Sequence, residues 1–101
     1  IIVLVTTADK AEAEKISKML VKRRLAACVN TVAEVSSRFW WKDKLETSKE
    51  CLLIVKTRDT LFQDIIKAVK KLHSYSIPEI IAMPIVAANQ EYLDWVDSEL
   101  I

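Results

Sequence analysis

One histidine, two cysteines and scattered carboxylates are all the catalytic or ligating chemistry that this chain of 101 residues offers. The histidine, His73, stands in the segment His73-Ser74-Tyr75-Ser76-Ile77-Pro78-Glu79 at the end of a predicted helix. Three roles are open to it: closing the helix end through a hydrogen bond, ligating a metal with donors drawn from elsewhere, or general acid–base catalysis. Cys28 has the chemistry of a thiolate nucleophile or a soft ligand for Cu(I), but its neighbours Leu25, Ala26, Ala27 and Val29 are apolar, and apolar surroundings raise a thiol pKa. A free, buried thiol is therefore expected at Cys28. Cys51 is not within its reach. A hairpin turning near Asp43 sets residue 35 or so opposite Cys51, which leaves Cys28 about seven residues or roughly 23 Å away, against the 7 Å limit between bridged Cα atoms. Glu79 and Glu50 are placed to line a cleft with Tyr75 and Lys56, or else to be solvated charges at a sheet edge. Trp40 and Trp41 are adjacent in a predicted strand, so their rings leave opposite faces and one of them needs cover outside its own core.

Composition removes several classes of function. The chain has no glycine, so the glycine-rich loops that cradle phosphates are absent and no nucleotide cofactor is expected. Where a positive φ is needed, Asn30, Asp43 and Asn89 are the expected substitutes. Fifteen basic against fourteen acidic residues give a net charge of +1, and Lys22-Arg23-Arg24 closes a predicted helix where cations suit the dipole, so neither nucleic acid nor an anionic membrane is an expected partner. The longest apolar run, residues 80–88, is interrupted by Pro84 and is far shorter than the roughly 20 residues of a membrane helix. Free cysteines without a C-x-x-C pair suit a reducing compartment, and a cytoplasmic location is expected.

The elements that must position these residues follow from periodicity. Residues 1–7 form a continuous apolar, β-branched strand. Asp9 with Glu12 reads as the capping box of a helix reaching about residue 24, with Ala13, Ile16 and Leu20 on its buried face. Residues 26–41 and 44–57 make a long hairpin whose first strand is the more polar. A second amphipathic helix runs from about 59 to 73, then an edge strand over residues 80–87 containing Pro84, then a short helix over residues 89–100. This βαββαβ order with an additional C-terminal helix is a single α+β domain over residues 1–101 with a ferredoxin-like sheet, its first and third strands in the middle. Helices cover one face of such a sheet, and with 51% hydrophobic residues the other face needs a cover that another subunit can supply. A strand over residues 26–41 is about 53 Å long if straight, whereas a globular chain of this length is roughly 33 Å across, so the hairpin must bend or overshoot.

Five ordered segments carry a resemblance: Leu25-Ala26-Ala27-Cys28-Val29-Asn30, Phe39-Trp40-Trp41, Lys56-Thr57, His73-x-Tyr75-x-x-Pro78-Glu79 and Tyr92-Leu93-x-Trp95. With them the chain closely resembles the CutA divalent-cation-tolerance family over essentially its whole length. The resemblance implies a ferredoxin-like subunit, a homotrimer, a non-enzymatic role in the response to copper or another divalent cation, and His73 as the metal ligand. The candidate cleft comprises Cys28, Lys56, Tyr75 and Glu79, and the candidate interface comprises Trp40, Trp41 and Trp95. The alternative role is a signalling or scaffold trimer that binds a small metabolite or a protein at clefts between subunits. Asp43, Ser74 and Ala8 depart from residues common in the family's turns. Val5 and Leu72 stand where some members carry the Cys and additional His of a proposed copper site, so only His73 of that site is present.

Overall fold

A computed structural model describes residues 1–101. The chain runs β1 (Ile2–Thr7), α1 (Lys10–Lys22), β2 (Cys28–Trp41), β3 (Lys44–Lys56), a 3-10 turn (Asp59–Leu61), α2 (Phe62–Leu72), β4 (Ile80–Met83) and α3 (Gln90–Glu99). The four strands form one antiparallel sheet in the order β2-β3-β1-β4, the ferredoxin-like arrangement, with β1 and the strand carrying the apolar run 51–55 at its centre.

Strand alternation divides the sheet. Val3, Val5 and Thr7 of β1 lie beside Val55, Leu53 and Cys51 of β3, and all six are buried. Against them pack Ala13, Ile16 and Leu20 of α1 and Ile65, Ala68 and Val69 of α2, one continuous core. The intervening residues Ile2, Leu4, Thr6, Leu52 and Ile54 point to the face opposite α1 and α2 and are only half-buried. Both ends of α1 are closed locally. Asp9 accepts the Glu12 N–H at 2.8 Å and Glu12 accepts the Ala8 N–H at 3.1 Å, the reciprocal pair read from the sequence. At the other end Arg24 takes φ 57°, the left-handed position where a helix ordinarily uses glycine.

The hairpin turns in two residues, with Trp41 paired to Lys44 and positive φ at Lys42 (50°) and Asp43 (62°), the signature of a type I′ turn. Of the three expected positive-φ positions only Asp43 takes that role. Asn30 lies in β2 and Asn89 has φ −69°, while Arg24 and Lys42 carry the conformation instead. Between Val32 (opposite Leu52) and Val35 (opposite Glu50) β2 advances three residues and β3 two, a β-bulge at Ala33-Glu34 facing Cys51. The bulge reverses the alternation of β2 beyond it, so Val35, Ser37, Phe39 and Trp41 share a face with Glu50, Ser48 and Glu46. Cys51 closes the irregularity by donating its S–H to the Ala33 carbonyl at 3.1 Å.

The last strand is shorter than expected. It stops at Met83 instead of reaching residue 87, because Pro84 has no N–H to continue the ladder and disfavours helix and regular pairing around it. The overshoot of the hairpin is real: the longest dimension of the chain is 45 Å, against 26 and 22 Å for the others.

Candidate functional site

The bulge and the loop after α2 build one concave site. The loop carries Tyr75 to the hairpin, where its hydroxyl donates to Glu50 Oε2 at 2.7 Å. Around this pair lies a cavity of about 800 Å³ whose walls include Phe39, Trp41, Arg38, Glu46 and Glu79. Glu50 is only 7% exposed. Burial, then the hydrogen bond and charge of Glu50, push the Tyr75 hydroxyl up to about 12, so Tyr75 remains a proton donor at any physiological pH.

His73 sits behind Tyr75, the two ring centroids 4.8 Å apart, and is fully buried. Its Nδ1 accepts the Tyr75 N–H at 3.1 Å, which leaves the proton on Nε2, 2.7 Å from the Thr6 carbonyl that accepts it. Glu12 approaches Nδ1 to 3.5 Å while accepting the N–H groups of Ala8 and Ser74. Burial raises the Glu12 pKa, but the hydrogen bonds from Ala8 and Ser74 outweigh it and hold the carboxyl below its ordinary value. His73 is thus the clamp that ties the loop to β1 and α1, the first of the three roles open to it. Both ring nitrogens are engaged, so the expected metal ligand has no lone pair to give without breaking a hydrogen bond. No three side chains among His, Cys, Asp and Glu gather closely enough to hold an ion. The donors of a single chain do not fit copper or another divalent cation.

The expected cleft of Cys28, Lys56, Tyr75 and Glu79 divides in two. Tyr75 and Glu79 line the cavity. Cys28 and Lys56 are register partners at the far end of the hairpin, with Lys56 Nζ 3.9 Å from Cys28 Sγ. Six residues of β3 separate Lys56 from Glu50, roughly 20 Å. Nor is Cys28 buried as expected. It is half-exposed because it belongs to the face opposite the α1 and α2 core, and Asn30 Oδ1 lies 3.9 Å from its sulfur. Both cysteines are free. The tryptophan rings separate as alternation requires: Trp41, 42% exposed, lines the cavity, whereas Trp40, 73% exposed, points away from it. Trp95 is also exposed and packs on Tyr92 at 5.6 Å. Burial, followed by the charge and hydrogen bond of Cys28, pushes the Tyr92 hydroxyl up. Arg38, Phe39 and Glu46 were not singled out as cleft residues from the sequence, and the bulge that turns Phe39 toward Glu50 left no glycine or proline to reveal it.

Comparison with known proteins assigns the lineage. The family model described as CutA1 divalent ion tolerance protein matches residues 1–99. The chain belongs to the CutA1 family. Among CutA1 relatives, the divalent-cation tolerance protein CutA of Thermus thermophilus is 44% identical over 95 residues, covering 94% of this chain and 92% of that protein. The chloroplastic protein CutA 1 of rice, Oryza sativa, is 41% identical over 96 residues, covering 95% of this chain but 54% of its own length, so this chain spans about half of that relative. In solved structures the T. thermophilus protein superposes with a TM-score of 0.96 at 42% identity, covering 98% of this chain and 96% of that one. A structure from Archaeoglobus fulgidus, titled a periplasmic divalent cation tolerance protein, gives 0.94 at 42% identity, covering 97% and 95%. No helix of the chain is long and apolar enough to cross a membrane.

Proposed function

We propose that the chain is a non-catalytic subunit of a homotrimer that contributes to divalent-cation tolerance by binding a small molecule in the Glu50–Tyr75 cavity, with no metal centre on His73. The tolerance role comes from the names of its CutA1 relatives. The single observation that carries the cleft reading is the buried Glu50 carboxylate in the wall of an 800 Å³ cavity, a volume within the usual range for small-molecule sites. Cys28 and His73, the two groups with nucleophilic or acid–base chemistry, supply no catalytic constellation: they lie in different parts of the fold, and His73 is consumed by structural hydrogen bonds.

Assembly is supported by the exposed apolar surface. Trp40, Leu45, Ile77, Ile81 and Val86 are each at least half exposed, and Val86 is 94% exposed. A closed ring of copies covers such a surface and the uncovered sheet face together, and the number three comes from the resemblance to the family. The free thiols support a cytoplasmic site of action.

Calorimetric titration of the purified protein with Cu²⁺ tests the metal part of the proposal. The expected result is that His73→Ala leaves metal affinity within about threefold of the wild type while lowering thermal stability. Stoichiometric binding lost in His73→Ala, with the loop conformation intact by NMR, would restore the metal centre and overturn the proposal.

A further inference from the structure

Glu50 poses an electrostatic problem that the chain does not solve internally. A carboxylate buried to this degree is ordinarily neutralised by a cation, because desolvation without a counter-charge is costly. The chain forms three ion pairs, Arg24–Glu99, Lys49–Glu34 and Arg58–Asp97, and neither these nor the His73–Glu12 contact involves Glu50. Its one side-chain partner is the Tyr75 hydroxyl, a neutral donor, on Oε2. Oε1 has no hydrogen-bond partner, yet no buried side-chain oxygen is left unsatisfied, so Oε1 is open to the cavity.

The remaining lining has the same bias. Glu46 and Glu79 add two carboxylates against the single guanidinium of Arg38, which is exposed and pairs with none of them. The carboxylates do not converge as the donors of a bare metal ion do. Trp41, Phe39 and Tyr75 present aromatic surface between them, the complement of an organic cation.

We infer that the cavity is a receptor for a small organic cation, an amine or guanidine carrying an apolar body, with Glu50 as its counter-ion and the Phe39 and Trp41 rings as its walls. The inference rests on the cleft reading above and adds the chemical class of the ligand. The ammonium or guanidinium head meets Glu50 Oε1 in the wall, Tyr75 holds the carboxylate in place from its other oxygen, and Glu46 and Glu79 attract the cation at the mouth.

The experiment is an NMR titration of the full chain with 4-phenylbutylammonium and with its anionic counterpart 4-phenylbutyrate, on samples whose assembly state is checked by sedimentation. Binding of the ammonium probe at least about tenfold tighter than the carboxylate is expected, with shifts centred on Phe39, Trp41, Glu50 and Tyr75, and Glu50→Gln should weaken it about tenfold. Where Glu50→Gln does not fold, the exposed pair Glu46→Gln and Glu79→Gln decides, with a combined loss of about threefold expected and unchanged affinity overturning the inference. Equal or tighter binding of phenylbutyrate, or no binding of the ammonium probe by an intact trimer, overturns the cation assignment and leaves the trimer standing. A protein that is monomeric overturns the trimer of the proposed function instead, whatever the probes do.

Discussion

A single hydrogen-bond set around Glu12 and His73 decides how the loop bearing Tyr75 is held. Glu12 accepts from Ala8 and Ser74 and faces the His73 ring, and its pKa lies below the ordinary 4.5 although burial alone would raise it. A carboxyl whose folded pKa is depressed gives stability that is present above its unfolded pKa and lost as pH falls through the folded value. The acid limb of the stability curve should therefore begin to fall below about pH 4.5. Glu12→Gln should lower stability at pH 7 by about 1 kcal/mol and flatten that limb. Urea unfolding between pH 3 and 7 measures both, and parallel acid limbs in the two proteins would remove Glu12 from this role. His73 was legible in the sequence as a lone histidine ending a helix, because that position needs a hydrogen bond whatever else the residue does. Its bond to β1 was not legible, since the Thr6 carbonyl reaches Nε2 from a strand more than 60 residues away in the chain. Cys28 misled for a different reason. Apolar sequence neighbours describe both faces of a strand, and Cys28 lies on the face opposite the α1 and α2 core.

At the scale of elements, the apolar runs of β1 and β3 marked the two central strands because only strands flanked on both edges, with one face in the core, can be apolar throughout. The bulge at Ala33-Glu34 was hidden, for it contains neither glycine nor proline and changes the register by one residue. That one residue turns Phe39 and Trp41 toward Glu50, so it determines which aromatic residues form the cavity. The type I′ turn at Lys42-Asp43 is built without glycine, and each L-residue with positive φ carries a steric cost. Asp43→Gly should relieve part of it and raise stability by about 0.5–1 kcal/mol after glycine's own entropy cost is counted. The check is the urea midpoint at a fixed chain concentration, and a lower midpoint would mean that the Asp43 side chain contributes more than its backbone strain removes.

The whole molecule is elongated because its hairpin outruns the core. The hairpin carries Trp40 and Leu45 into solvent beside its turn, and the sheet face opposite α1 and α2 is only half covered. One chain of this size has no further element with which to close that face. In the proposed trimer, a second and a third copy would close it. Replacing Trp40 by Ser should leave the folded subunit unchanged, since Trp40 is 73% exposed, while weakening assembly. The most direct measurement is sedimentation equilibrium of the wild-type chain at low micromolar concentration. The account predicts a single species of three chains that persists on dilution, whereas a folded, stable monomer would contradict it.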